Sequence, residues 1–153
     1  MQKDENLYLR TVEKDDMELL FRWANDAAVR NNSFSPEPIS LETHIKWFKG
    51  MMGDPSVMQY ILMCNDIPIG QIRFSLSDDK TQAETDYSID PGERGKGYGS
   101  RLIELGIRRL KEDVPDLKKI IGKVKEGNTA SETCFKKNGF FVKYKHLETD
   151  CGD

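Results

Sequence analysis

The segment with the clearest chemical meaning is a glycine-rich turn that separates a predicted strand from a predicted helix. It reads Arg94-Gly95-Lys96-Gly97-Tyr98-Gly99-Ser100. Glycines permit positive φ and let a bulky phosphate approach the backbone, while the N–H groups at the start of a helix attract anions. Arg94 and Lys96 add positive charge at the rim. We therefore predict that the amides of residues 94–100 bind a phosphate or pyrophosphate group.

Other phosphate-binding loops differ from this turn in their spacing. A Walker loop has Ser or Thr after Gly-Lys, whereas Gly97 follows Gly95-Lys96 here. In a dinucleotide fingerprint that starts at Gly95, the third glycine would fall on Ser100. The protein-kinase loop requires a catalytic-loop motif that this sequence lacks. The alternative is an ordinary glycine-rich turn that binds no ligand and is capped by Ser100 at the start of the following helix.

Two carboxylates precede the turn. Glu84 and Asp86 lie on the predicted strand two positions apart, and alternation along a strand places both on one face. A lysine-like amine with a pKa of ~10.4 must lose a proton before it can act as a nucleophile. A carboxylate or a histidine can accept that proton, directly or through water. Glu126 and His44 are further candidates, although any single surface carboxylate is more often simply solvated.

Hydrophobic periodicity and turn residues predict the elements that position these groups. Strands are predicted over residues 7–12, 57–64, 69–76, 82–89 and 118–124. Helices are predicted over residues 17–24, 41–48, 102–110 and 129–137, with Ser40 and Gly139 as caps. Phe140-Phe141-Val142 and Tyr144 predict the start of a last strand. The pattern indicates one mixed α/β domain over residues 1–153.

Composition excludes several classes of protein. With 153 residues, 37% hydrophobic residues and a net charge of −3, the chain can form a core and has no overall field that favours nucleic acid or membranes. No apolar run spans a bilayer and the start of the chain is not signal-like. Cys64, Cys134 and Cys151 are an odd, scattered set, which argues against a disulfide framework and a metal site. We expect a cytoplasmic protein without a metal.

Two motifs together resemble the GNAT N-acetyltransferases. The acetyl-CoA motif of that family has Arg or Gln, two residues, Gly, one residue, then Gly or Ala, which Arg94, Gly97 and Gly99 match. Its second motif has Asn, Ser three residues later and Gly-Phe after the next helix. Asn128, Ser131 and Gly139-Phe140 match it, so the two motifs cover about the second half of the chain.

The resemblance implies a GNAT fold, a mixed and mainly antiparallel sheet that splays at the acetyl-CoA site. It also implies direct transfer of acetyl from acetyl-CoA to a primary amine, without a covalent enzyme intermediate. The main chain at Ser88-Ile89 would bind pantetheine and the amides of residues 94–100 the pyrophosphate. Asn128 and Ser131 would contact the cofactor, although Asn128 also suits a helix N-cap. Related enzymes often place the base on the strand of Glu84 and Asp86.

Two features depart from the family pattern. A Tyr seven residues after the motif Asn often protonates the leaving thiolate, and Phe135 occupies that position here. Tyr98, Tyr87 or water would replace it, or no acid is needed, because a thiol with a pKa of ~8.5 is a tolerable leaving group. The family usually continues beyond the strand that follows Gly-Phe, so we expect a short or missing final strand and favour a homodimer.

The N-terminal half is similar to acetyltransferases of the pseudaminic-acid pathway, which act on nucleotide-linked amino sugars. The similarity lies in Trp23-Ala24-Asn25-Asp26, Val29-Arg30, His44 and Trp47-Phe48. It implies an acceptor pocket lined by Asn31, Asn32, His44 and Trp47. The alternative is that the aromatic residues are core and His44 is a satisfied polar partner. The other possible acceptors are a protein N-terminus and another small amine, and an acceptor with an anionic group would use Arg22 or Arg30. A different hypothesis is that the protein is a non-catalytic CoA-binding module.

Overall fold

The computed structural model describes residues 6–143 and residue 149. Its strands are β1 (Leu7–Thr11), β2 (Val57–Cys64), β3 (Ile67–Leu76), β4 (Gln82–Ile89) and β5 (Lys119–Gly122). Its helices are α1 (Met17–Ala24), α2 (Ala27–Asn31), α3 (Leu41–Met52), α4 (Tyr98–Asp113) and α5 (Thr129–Lys137). Short 3-10 helices at Lys14–Asp16 and Pro91–Glu93 precede α1 and α4. The mixed α/β class is confirmed.

The five strands form one sheet in the order β1-β2-β3-β4-β5. Neighbours from β1 to β4 are antiparallel, whereas β5 runs parallel to β4. Pairing between β4 and β5 ends where Thr85 faces Gly122, yet β4 continues to Ile89, which faces Gly70 on β3. Residues 86–89 therefore present an edge that β5 does not pair. This is the splay that the family resemblance implied.

Helices cover both faces of the sheet. On one face α4 and α5 bury the larger core, whose fully buried members include Tyr60, Leu62, Ile72, Phe74, Leu102, Ile103 and Leu110. On the other face α1 and α3 cover the β1–β2 side with Leu20, Trp23, Phe48, Met51, Ile61 and Met63. Gly106 lets α4 lie directly on β3, because a Cβ there would come within 2.8 Å of the Ile72 side chain. The β3–β4 side of the second face keeps polar residues.

Side-chain caps set the starts of the helices. The Oγ of Ser40 accepts the Thr43 N–H at 3.1 Å and starts α3, as predicted. The carboxylate of Asp26 accepts the Val29 N–H at 3.2 Å and starts α2, a five-residue helix that the sequence patterns did not predict. Asn128 accepts the Ser131 N–H at 3.3 Å at the start of α5. Asn128 is therefore an N-cap, the role its sequence position also allowed.

The predicted last strand is wrong for the part that the structure describes. Residues 140–143 have no regular structure, and Tyr144 lies outside the described residues. The Phe140 ring packs against the Phe135 ring, with centroids 4.9 Å apart, and draws the chain onto the core rather than along β5. Phe141 and Val142 are exposed. β5 is also shorter than predicted, because its partner strand pairs with it only as far as Thr85.

Candidate active site

The glycine-rich turn leaves the start of α4 open to a ligand. Gly97 is the N-cap at φ 84°, and no side chain caps the helix, so Ser100 does not do so. Gly95 has φ 79°, and a Cβ on either glycine would meet no atom within 4 Å. The first N–H groups of this 16-residue helix thus have space in front of them. The geometry fits a bound pyrophosphate group.

Gly99 and Ser100 hold this helix start against α5. A Cβ on Gly99 would lie 3.1 Å from the Cys134 Sγ, a tight approach that explains the absence of a side chain. The Asn138 amide donates to the carbonyl oxygen of Ser100 at 3.0 Å and to its Oγ at 3.3 Å. The two motifs of the sequence are therefore in direct contact.

The side chains of Arg94 and Lys96 form ion pairs within the protein. The guanidinium of Arg94 donates to the Asp26 carboxylate at 2.6 Å, and the Lys96 ammonium lies 2.9 Å from the Glu93 carboxylate. Burial opposes ionisation of Asp26, but Arg94 and the Val29 N–H outweigh it, so the pKa of Asp26 is lowered. Arg94 thus connects the glycine-rich turn to α2.

Tyr87 lies where the second motif meets β4. Its hydroxyl donates to the Oγ of Ser131 at 3.1 Å, and its ring packs edge-on against Phe135 with centroids 5.6 Å apart. Burial is the main reason why the pKa of Tyr87 is raised. Tyr98 lies elsewhere, since its ring is buried and its hydroxyl is 3.8 Å from the Cys64 Sγ. Of the two tyrosines, Tyr87 is the one beside the splay.

Polar side chains from β3 and β4 gather on the sheet face that α1 and α3 leave uncovered. Asp86 faces Arg73 and Ser88 faces Gln71 across the antiparallel ladder. The Gln71 amide donates to the Asp86 Oδ2 and to the Ser88 Oγ, both at 3.2 Å. Asp86 is 58% exposed and its carboxylate is 3.7 Å from the Arg73 guanidinium. This carboxylate is accessible at the first residue beyond the paired part of β4.

Glu84 has a different environment from Asp86. It lies within the paired part of β4, opposite Ile121 on β5, and forms an ion pair with the Lys123 ammonium at 2.9 Å. Glu84 and Asp86 do share a face, yet only Asp86 lies beside the unpaired edge at residues 86–89. The geometry therefore favours Asp86 as the proton acceptor.

His44 and Trp47 occupy different positions on α3. His44 is only 3% exposed, and its Nε2 lies 2.9 Å from the Met17 carbonyl oxygen. Burial lowers the pKa of His44, while the Met17 carbonyl acts in the opposite direction. This is the geometry of a satisfied core histidine. Trp47 is half-buried, and the Arg73 guanidinium lies over its ring at 5.1 Å from the centroid.

Asn31 and Asn32 end α2 and are exposed. The carbonyl oxygen of Asn31 accepts a hydrogen bond from the Lys125 ammonium at 3.1 Å, and that of Ser33 does so at 3.4 Å. The side chain of Asn32 donates to the Ala28 carbonyl within its own helix. Lys125 therefore joins the loop after β5 to the end of α2 and the loop that follows it.

Sequence reasoning missed Gln71, Arg73 and Lys125. Gln71 and Arg73 lie in a strand that was predicted only as the second strand of a hairpin, and their alternation on one face was a usable signal. No local pattern points to Lys125, because its partners lie more than 90 residues earlier in the chain.

A family model for the Acetyltransferase (GNAT) domain matches residues 6–141. This chain belongs to the GNAT acetyltransferase family. Aminoglycoside N(6')-acetyltransferase type 1 of Klebsiella pneumoniae is 23% identical over 151 residues, which cover 90% of this chain and 75% of the relative. As a GNAT enzyme, the protein is an acetyl-CoA-dependent N-acetyltransferase, and the open turn at Gly95 and Gly97 fits that acyl donor.

Solved GNAT structures share the fold. Spermidine N-acetyltransferase from Vibrio cholerae, in complex with CoA and spermine, has a TM-score of 0.80 at 22% identity, covering 92% of this chain and 83% of that one. RimL, a ribosomal L7/L12 alpha-N-protein acetyltransferase in complex with coenzyme A, has a TM-score of 0.78 at 19% identity, covering 90% and 81%. These proteins act on chemically different amines, so the acceptor of this GNAT enzyme must be argued from its own residues.

Two features are absent from the part of the chain that the structure describes. No helix there is long and apolar enough to cross a membrane. No group of three or more His, Cys, Asp or Glu residues in that part of the chain is placed to hold a metal ion.

Proposed function

We propose that this GNAT enzyme acetylates the primary amine of a small acceptor that also carries an anionic group, with a nucleotide-linked amino sugar as the first choice. The observation that carries the proposal is the distribution of charge around the proposed acceptor cleft, which is bounded by Asp86 on β4, Lys125 and the α2–α3 loop. Glu84 and Asp26 are already in ion pairs, whereas two cations contact only neutral groups among the described residues.

Two carboxylates beside this cleft are already in ion pairs. Glu84 pairs with Lys123 at 2.9 Å and Asp26 pairs with Arg94 at 2.6 Å. Asp86 combines high exposure with a loose ion pair, which suits a group that must accept a proton. Glu84 and Asp26 are therefore not free to bind a polycationic acceptor.

The cations are not matched in this way. The ammonium of Lys125 donates to the carbonyl oxygens of Asn31 and Ser33. The guanidinium of Arg30 donates to the carbonyl oxygens of Ser35 and Glu37, and its buried Nε has no hydrogen-bond partner among the described residues. Phosphate or carboxylate oxygens are stronger acceptors for such groups than neutral carbonyls are. An anionic group on the acceptor would thus gain from both cations.

Aromatic side chains support an acceptor with a sugar or a base. Trp47 lies beside Arg73 at the edge of the polar face, and Phe34 is 67% exposed in the loop that Lys125 contacts. Flat, partly exposed rings of this kind stack on sugar rings and nucleobases. A nucleotide-linked amino sugar offers a ring, a base and phosphate charge together.

In this proposal Asp86 accepts the proton that the ammonium of the acceptor loses. The amine nitrogen then forms a bond to the acetyl carbon as the bond from that carbon to sulfur breaks, and no enzyme group is acylated. Tyr87 donates a proton to the departing sulfur, and its phenolate regains one, through water, from the acylated nitrogen. The unpaired edge at residues 86–89 binds pantetheine, the amides of Arg94 to Ser100 hold the pyrophosphate, and Asn128 and Ser131 contact the cofactor from α5.

The test compares acceptors that differ in one anionic group. Thiol release from acetyl-CoA would be measured with glucosamine, glucosamine 6-phosphate, a UDP-linked amino sugar, spermidine and an N-terminal peptide. We expect kcat/KM for the phosphate-bearing amines to exceed that for glucosamine by about tenfold or more, as expected for a charge-assisted contact. A preference for spermidine or for uncharged amines would contradict the proposal.

Lys125 provides the matched variants. Lys125→Met should lower kcat/KM for the phosphate-bearing acceptor by about tenfold and leave glucosamine almost unaffected, because only the charge contact is lost. Lys111→Met, on the exposed face of α4 far from the cleft, is the control and should change neither value. An equal loss with both acceptors would show that Lys125 acts on the loop structure rather than on the anion.

A further inference from the structure

The buried amides behind Asp86 form a directional chain. Gln59 on β2 and Gln71 on β3 are 7% and 6% exposed. The Gln59 Nε2 donates to the Gln71 Oε1 at 2.9 Å, and the Gln71 Nε2 donates to the Asp86 Oδ2 and the Ser88 Oγ. Two adjacent buried glutamines are uncommon in a sheet, because each must be satisfied away from water.

The carboxylate determines the direction of this chain. An ionised carboxylate can only accept hydrogen bonds, so the nitrogen of Gln71 must face Asp86 and its oxygen must face Gln59. Gln59 then has to present its own nitrogen to Gln71. Its Oε1 is buried without a hydrogen-bond partner, a cost that the protein bears in this orientation. Both amides thus point a nitrogen along the chain toward Asp86, while the Oε1 of Gln59 is left without a hydrogen bond.

We propose that Gln71 is a positioning residue for Asp86, and that Gln59 holds the Gln71 amide in the orientation that donates to this carboxylate. The inference rests on the proposed role of Asp86 as proton acceptor. Asp86 is exposed on the cleft side, so without Gln71 its carboxylate has only the Arg73 guanidinium, 3.7 Å away, to restrain it. Gln71 also donates to Ser88, which places the carboxylate relative to the backbone that binds pantetheine.

Replacing Gln71 by Met tests the proposal with a side chain of similar length that has no donor. With the best acceptor of the panel, kcat should fall about tenfold, as expected for a poorly placed general base. In the Asp86→Asn background the same substitution should lower kcat by less than about twofold, because Gln71 acts only through that carboxylate. The KM for acetyl-CoA should stay within about twofold of the wild-type value, since the Gln71 side chain is not part of the proposed acetyl-CoA site.

Ile61→Val is the matched control. Ile61 is fully buried and lies opposite Gln71 on β2, so the substitution loosens the same region without touching the amides. It should lower the melting temperature slightly and leave kcat within about twofold of the wild type. Gln59→Met should lower kcat in the same way as Gln71→Met, but by less, and it provides a second variant if Gln71→Met does not fold.

The possible outcomes separate the two proposals. A wild-type enzyme that acetylates no acceptor of the panel would refute the proposed function. An active wild-type enzyme whose kcat is unchanged in Gln71→Met, or falls equally in the Asp86→Asn background, would overturn the positioning role alone. The same result would follow if Ile61→Val lowered kcat as far as Gln71→Met does.

Discussion

Phe135 and Tyr87 together change where a tyrosine hydroxyl lies in this site. Phe135 occupies the position where related enzymes often have a tyrosine, and its ring fills the space beside Gly122, where a Cβ would come within 2.6 Å of it. Tyr87 packs on that ring from β4 and directs its hydroxyl to Ser131. Because burial raises the pKa of Tyr87, its phenol stays protonated at neutral pH and can serve as a proton donor.

Removal of that hydroxyl gives the first prediction. Tyr87→Phe should lower kcat about tenfold to a hundredfold. This is at or below the usual rate contribution of a general acid, because a thiolate can leave without protonation to some extent. Steady-state thiol release at saturating acetyl-CoA measures the change. Tyr60→Phe is the control, since it also removes a buried hydroxyl, one bonded to Asp113 at the far end of α4. Equal kcat values for the wild type and Tyr87→Phe would exclude Tyr87 as the acid.

At the scale of elements, the start of α4 determines donor binding. Gly97→Ala places a side chain at φ 84°, which costs about 1–2 kcal/mol for an L-residue, so the turn should relax away from its present shape. We expect the Kd for acetyl-CoA, measured by calorimetry, to rise about tenfold with a small loss of stability.

Gly50→Ala is the matched control for this substitution. Gly50 lies in α3 with free space around it and no positive φ, so alanine should stabilise the helix by up to about 1 kcal/mol and leave the Kd unchanged. An unchanged Kd in Gly97→Ala would mean that the turn does not bind the donor through its backbone.

Elements with a strong local signal were predicted well, and those that depend on distant contacts were not. β4 and α5 have the predicted bounds, because a turn or a cap sets both ends of each. Helix α2 was missed, since a five-residue helix has little periodicity and Asp26, its cap, is held by Arg94 from 68 positions away. In the described part of the strand predicted from Phe140, the chain is irregular and the Phe140 ring packs on Phe135, a contact that alternation in the sequence does not reveal.

Candidate site residues divide in the same way. The turn at residues 94–100 could be predicted, because the spacing of its glycines is visible within a few consecutive residues. The choice of Asp86 over Glu84 could not, since it depends on where β5 stops pairing with β4. The burial of His44 was equally hidden, because its partner is the Met17 carbonyl on another helix.

At the scale of the whole molecule, a few long-range contacts join the N-terminal helices to the cofactor half. Arg94 pairs with Asp26, the Trp23 indole donates to Asp90, and Lys125 holds the loop after α2. These contacts connect α1, α2 and the loop after α2 to the turn before α4 and to the loop after β5.

Stability should depend on acidic pH through Asp16. Burial opposes its ionisation, but the bidentate Arg10 guanidinium and the Glu13 N–H outweigh burial, so the pKa of Asp16 is lowered. Its contribution is complete above the ordinary Asp pKa of ~3.9 and is lost as the pH falls through the lower folded value.

The measurement is the melting temperature of Asp16→Asn between pH 7 and pH 2. At pH 7 the variant should be less stable than the wild type by about 1–3 kcal/mol, since Asn cannot pair with Arg10. The difference should shrink below pH 4, where the wild type loses the same ion pair. Asp78→Asn, at an exposed turn, should match the wild type throughout. A gap for Asp16→Asn that is constant with pH would contradict the ionic role.

The most direct test of the account compares Asp86→Asn with Glu84→Gln in acetyl transfer to the best phosphate-bearing acceptor. The two carboxylates share one strand and one face, but only Asp86 lies beside the unpaired edge of β4. We predict that Asp86→Asn lowers kcat/KM a hundredfold or more, as expected for loss of a general base, while it still binds acetyl-CoA, and that Glu84→Gln stays within about threefold of the wild type. Full activity in Asp86→Asn would contradict the account.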